Sequence, residues 1–190
     1  MQGKMMHRPL RIIDILAFAA EVHADAGIVS ARTEGDVHRA TYPQIMARTA
    51  QLANALHGLG VGTGDRVATL AWNGHRHFEL YFGVAGIGAV CHTINPRLPA
   101  EQILYIIDHA DDRLLFVDLT FVPLVEGLRD QLPADLRLVI MTDRAHMPDT
   151  PLDALCYEEL LADQPAGIDW PEVPEDTAAG LCYTSGTTGH

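Results

Sequence analysis

The spacing of apolar residues changes period several times along this chain, and each change marks an element. From Arg11 to Ala24, the residues Ile12, Ile13, Ile15, Leu16, Ala19, Ala20 and Val22 make one broad apolar face, as an amphipathic helix does. Ile28 to Arg32 and Val37 to Thr41 flank Thr33-Glu34-Gly35-Asp36, which predicts two short strands around a tight turn, a small antiparallel hairpin near the surface. Thr41 then precedes Tyr42-Pro43, with Gln44 three residues on, in the manner of a capping box. The helix it opens carries Ile45, Ala47, Leu52, Ala53, Ala55, Leu56 and Leu59 and is ended by Gly58 and Gly60.

From Arg66 onward the pattern is strand and helix in alternation. Strands are expected at Arg66 to Trp72, Ala89 to Ile94, Arg113 to Asp118 and Leu136 to Met141. Between and after them come a helix capped by Asn73 and carrying Phe78, Leu80, Tyr81, Val84, Ala85 and Ile87, and further helices at Pro99 to His109, Phe121 to Gln131 and Asp153 to Leu161. This order predicts an α/β fold, a layered and mostly parallel sheet with flanking helices and right-handed crossovers, plus the small antiparallel hairpin. Thr142 to Leu152, with Pro148 and Pro151, reads as a surface excursion. Pro165 to Asp176, rich in proline and acidic residues, reads as a linker before a last apolar run, Ala178 to Tyr183, expected as a buried strand.

A chain of 190 residues corresponds to about one domain and can bury a full core, and 48% apolar with 20% charged residues is ordinary for a soluble globular protein. The formal charge of −12 argues against any broad nucleic-acid or anionic-membrane surface, so an anionic ligand requires a local site. No apolar run approaches the ~18 residues of a membrane span, and Met1 to Arg11 lacks the apolar core of a signal peptide, so a cytoplasmic protein is expected. Cys91, Cys156 and Cys182 are widely spaced and read as reduced thiols. His75-Arg76-His77 raises the question of a metal, but no further ligand type sits at ligand spacing around it.

Chemistry is demanded by the end of the last apolar run. Thr184, Ser185, Gly186, Thr187, Thr188 and Gly189 follow Tyr183, drawn entirely from Gly, Ser and Thr. Glycines allow close approach and positive φ, successive main-chain N–H groups in such a turn converge on an anion, and hydroxyl oxygen suits a hard cation such as Mg²⁺. A polyphosphate with its metal fits this inventory. The loop is not a Walker A sequence, since no lysine follows before His190. A flexible Gly/Ser/Thr linker is the competing reading, and such linkers are seldom fused directly to an apolar strand.

Tyr183-Thr184-Ser185-Gly186-Thr187-Thr188-Gly189 resembles the phosphate-binding loop of the adenylate-forming superfamily, which includes acyl-CoA synthetases, luciferases and peptide synthetase adenylation domains. Two interior stretches are similar as well. Leu70-Ala71-Trp72-Asn73, with its helix to Gly86-Ile87-Gly88-Ala89-Val90, resembles the early strand-helix-strand unit of acyl-CoA synthetases. His92-Thr93-Ile94-Asn95-Pro96-Arg97-Leu98 resembles a segment of bacterial medium- and long-chain fatty acyl-CoA ligases and methylmercaptopropionate-CoA ligases.

The resemblance implies the first part of an enzyme that activates a carboxylic acid with ATP to an acyl-adenylate and passes it to CoA. It implies ATP, Mg²⁺ and CoA as cofactor and co-substrates. Thr184, Ser185, Gly186, Thr187, Thr188 and Gly189 would hold the β- and γ-phosphates, with Thr184 also touching Mg²⁺. In the family this loop continues into Pro-Lys-Gly, and the adenine, ribose and catalytic lysine sites lie beyond it, so no catalytic residue is assigned here and the 190 residues alone are expected not to turn over. Asn95-Pro96-Arg97 is expected to shape a turn, and His92 to be a satisfied core residue. The expected division is an opening helix-hairpin-helix segment at 1–60, an α/β subdomain at 61–164, a linker at 165–177, and the strand with its phosphate loop at 178–190. The apolar first helix suits a homodimer contact. A different class stays open, a non-catalytic binding or interaction module that keeps the fold.

Overall fold

The computed structural model describes residues 3, 4 and 8–184. The chain opens with helix α1 (Ile12–Val22), hairpin strands β1 (Gly27–Ala31) and β2 (Val37–Thr41), and helix α2 (Tyr42–Gly58). Then come β3 (Arg66–Leu70), α3 (His75–Gly86), β4 (Val90–Thr93), α4 (Ala100–Ala110), β5 (Asp112–Val117) and α5 (Val122–Leu128). β6 (Arg137–Ile140), β7 (Ala154–Cys156), α6 (Tyr157–Ala162) and β8 (Gly180–Cys182) complete the order.

Among the described residues, six strands form one sheet in the order β7-β6-β5-β3-β4-β8, every neighbouring pair parallel. The inner strands are buried on both faces, which is why β5 and β6 read as unbroken apolar runs from Leu114 to Val117 and from Leu138 to Ile140. In β5, Leu114 and Phe116 face a cluster shared with α2, α3 and α6, while Leu115 and Val117 face a second cluster shared with α4 and α5. Outside these layers, Ile13 and Leu16 of α1 pack with Ala40 and Ile45.

The β1-β2 pair is antiparallel, Gly27 opposite Thr41 and Ala31 opposite Val37, as the pattern predicts, with Gly35 at φ +98° in the turn. The capping-box glutamine is in place too, Gln44 Oε1 accepting the Thr41 N–H at 2.8 Å.

Three expectations are corrected. The cap of α3 is Gly74, not Asn73, because the Ser30 hydroxyl arrives from β1 and accepts the His75 N–H at 3.1 Å, doing from another element what Asn73 was expected to do locally. The helix expected over Asp153 to Leu161 begins as strand β7, which pairs with β6 from Leu138↔Ala154 to Ile140↔Cys156 before α6 starts at Tyr157. Pairing with an open sheet edge overrides local preference in so short a run. The segment expected as one helix from Phe121 to Gln131 is the short α5 between two 3₁₀ turns, Leu119–Phe121 and Arg129–Gln131.

Between α6 and β8 the chain runs over the outer helices. Asn54 Nδ2 donates to the Pro165 and Gly167 carbonyls at 2.9 and 3.1 Å, Arg11 Nη1 donates to the Pro171 carbonyl at 3.1 Å, and Trp170 lies on Gly86.

Candidate functional site

Strand β8 lies at the edge of the sheet, parallel to β4 with Cys91↔Gly180, His92↔Leu181 and Thr93↔Cys182. The chain therefore leaves β8 at the carboxyl ends of the strands, where open α/β sheets bind their ligands. Thr184 stands there, exposed. Ser185, Gly186, Thr187, Thr188 and Gly189 lie outside the described residues. The expected burial of this strand is corrected: Gly180 and Cys182 are exposed and Leu181 is half-buried, because among the described residues β8 has a strand partner on one side only.

Tyr183 ties the end of β8 down. Its hydroxyl lies 2.6 Å from His109 Nδ1, on the last turn of α4, and its ring centroid lies 5.3 Å from that of His92 on β4. His92 is fully buried, and its Nδ1 lies 2.8 Å from Oδ2 of Asp112, whose side chain is equally inaccessible. Burial pushes the Asp112 carboxyl up, and the hydrogen bond to His92 offsets part of that rise. His92 is thus satisfied at Nδ1, as a core histidine should be, while its buried Nε2 has no partner among the described residues. The pairing was not legible in the sequence, since the partners stand on different strands.

Asn95-Pro96-Arg97 leaves β4 at the same edge and forms the expected turn, Asn95 Oδ1 accepting the Arg97 N–H at 3.0 Å. At the carboxyl ends of β3 and β5, where the strand order reverses, Asp118 Oδ2 accepts the Trp72 N–H at 2.6 Å. Burial raises the Asp118 carboxyl to about 6.

Sequence reasoning missed a charged network close to Asp118. Arg76 donates to Glu34 at 2.7 Å, to Glu158 at 2.8 Å and to the Met141 carbonyl at 2.8 Å. Arg48 donates to Glu79 at 2.6 Å and to Glu158 at 3.0 Å, and the Tyr157 hydroxyl donates to Glu79 at 2.7 Å. These bonds join the hairpin turn, α2, α3 and α6. The two histidines flanking Arg76 serve packing: His75 stacks on His38 with centroids 3.9 Å apart, and the His77 ring lies between Thr69 Oγ1 and the Trp72 carbonyl, at 3.0 and 3.1 Å.

Comparison with known proteins adds to this geometry. A family model described as AMP-binding enzyme matches residues 16–190. The chain is 48% identical over 191 residues to 3-methylmercaptopropionyl-CoA ligase of Ruegeria pomeroyi, covering 100% of this chain and 35% of that protein. It is 41% identical to the medium-chain-fatty-acid–CoA ligase of Ectopseudomonas oleovorans, with the same coverage, and 44% identical to the long-chain-fatty-acid–CoA ligase of Thermus thermophilus over 97% of this chain and 33% of that protein. The chain thus spans about a third of the length of these curated relatives. Among solved structures, the anthranilate CoA ligase AuaEII in complex with anthranoyl-AMP superposes with a TM-score of 0.82 at 27% identity, covering 100% of this chain and 35% of the other. The N-terminal domain of FACL13 from Mycobacterium tuberculosis superposes with a TM-score of 0.73 at 27% identity, covering 95% of this chain and 42% of the other.

Proposed function

This chain belongs to the AMP-binding enzyme family, and on that premise we propose that it supplies the amino-terminal part of an acyl-CoA synthetase. The reaction has two halves. A carboxylate attacks the α-phosphorus of ATP, giving an acyl-adenylate and pyrophosphate, and the CoA thiol then displaces AMP. The carboxylic acid is an aliphatic one, since fatty-acid and methylmercaptopropionyl ligases are among the relatives that this chain resembles at 41–48% identity. Such an enzyme works in the cytoplasm, on soluble ATP and CoA.

The carrying observation is the exit of β8 at the carboxyl edge of the sheet, with Thr184 exposed just past it. In this reading residues 178–190 supply the phosphate-binding strand and loop, 61–164 the α/β subdomain, 165–177 the linker and 1–60 the opening segment. Main-chain N–H groups and hydroxyls from Thr184 to Gly189 hold the β- and γ-phosphates. Catalysis of this kind rests on positioning and on electrostatic stabilisation of the phosphate charge. Thr184 would help hold the Mg²⁺ of the nucleotide, which would supply neutralisation of part of that charge. The Thr184 hydroxyl is a hard neutral donor, suited to an ion whose other ligands are phosphate oxygens and water.

The test is carboxylate-dependent exchange of pyrophosphate into ATP by the intact synthetase, across short, medium and long acids. Thr184→Ala should lower kcat/KM for ATP by about 10- to 100-fold, ~1.4 to 3 kcal/mol of transition-state stabilisation, with the melting temperature held. Absence of exchange with every acid, or a loss of melting temperature in step with rate, would refute the assignment.

A further inference from the structure

We propose that His109 and the buried His92–Asp112 pair are positioning residues for the nucleotide loop and act on it through Tyr183; this rests on the reading of that loop as the triphosphate site. Among the described residues the three-residue strand β8 is bonded to one neighbouring strand, so its backbone ladder alone fixes the direction of the departing chain weakly. Tyr183, immediately before Thr184, supplies the missing constraint. Its hydroxyl is held by His109 at 2.6 Å, and its ring rests on His92.

His109 and Asp112, which holds His92, flank one turn. Helix α4 ends at Ala110, and Asp111 takes a left-handed conformation at φ +54°, so that His109 faces Tyr183 while Asp112 enters β5 and grips His92. From β3, Arg66 pins the turn by donating to the Asp111 carbonyl at 2.8 Å and to its carboxylate at 2.6 Å. His92 is fully enclosed and cannot turn away while Asp112 holds its Nδ1. His109 of α4 and His92 of β4 thus meet at a single tyrosine, with Arg66 and Asp112 behind them. His109 is itself exposed, so removing it leaves the core intact.

The experiment titrates the chain with inorganic tripolyphosphate and Mg²⁺, which needs no adenine site, and records melting temperatures alongside. Tyr183→Phe and His109→Ala should each weaken binding by about fivefold to tenfold, the worth of one hydrogen bond, with melting temperature unchanged within ~2 °C. His109→Asn, whose amide reaches the Nδ1 position, should restore affinity to within about twofold. Thr184→Ala serves as the marker that binding occurs on the loop. If Thr184→Ala weakens binding while Tyr183→Phe and His109→Ala do not, the positioning role is overturned and the loop reading survives. A fall in melting temperature parallel to the fall in affinity, or no recovery in His109→Asn, overturns it as well. If the chain does not bind tripolyphosphate, or binds it irrespective of Thr184, the loop reading fails and this proposal falls with it.

Discussion

Trp170 lies on Gly86 with no room for a side chain between them: a Cβ on Gly86 would stand 2.5 Å from Cζ3 of the indole and 2.8 Å from Cε3. The contact seats the segment after α6 on α3 and closes one side of the main core, to which Trp170 is packed.

Gly86→Ala should therefore destabilise the protein. Alanine gains about 1 kcal/mol over glycine inside a helix, but forcing an atom into a filled contact loses about 1–3 kcal/mol, so the clash outweighs the gain. Thermal melting would report a fall of a few degrees, with Trp170 emission shifted toward that of a solvated indole. In a Trp170→Ala background the same substitution should cease to destabilise, since the two sites are coupled.

Glu79 is fully buried on α3 between Arg48 and the Tyr157 hydroxyl. Burial pushes its carboxyl up, and the two partners work against that rise. Arg48→Met should lose about 3–5 kcal/mol in urea unfolding, because a buried carboxylate is left without its cation. Adding Glu79→Leu should recover much of that loss, the signature of a charge whose need is local.

Asp118 titrates at about 6 against an ordinary 3.8, chiefly because it is buried, with the Trp72 N–H and Arg76 opposing the rise. The folded chain holds this proton more tightly than the unfolded one. Its contribution to stability is full below about 3.8 and is lost as pH rises through about 6. Asp118→Asn removes the effect. Between pH 4.5 and 7.5 the variant's stability should change relative to wild type by about 2 kcal/mol in favour of the higher pH, as denaturant titrations at both pH values would show.

His75 has the opposite sign. Burial first, then the nearby His38 and the Arg76, Arg48 and Arg32 charges, lower it from 6.5 to about 2. Its contribution is full above 6.5 and is lost as pH falls below that value. His75→Phe keeps a ring against His38 and removes the titration. The variant should lose about 1 kcal/mol less than wild type between pH 7.5 and 5.5, measured by the same unfolding curves.

Much of the fold was legible because its signals are local. The capping box at Thr41 and Gln44, the hairpin around Gly35, and the alternation from Arg66 onward each depend on neighbours within a turn or two. The misreadings fall where a distant group took over a local role. Ser30 of β1 accepts the His75 N–H that Asn73 was expected to serve, and the open edge of β6 drew Ala154–Cys156 into a strand.

From its sequence alone this protein's α/β class and its hairpin follow, since apolar period and turn chemistry act over a few residues. Which strand β8 joins, that His92 finds Asp112, that His109 finds Tyr183, and that Arg48 and Arg76 share Glu158 were decided by the tertiary structure. Side-chain pairs of this kind are selected by the layering of helices on a sheet, which sets residues 20 to 110 positions apart at hydrogen-bond distance. No periodicity along the chain encodes such a meeting.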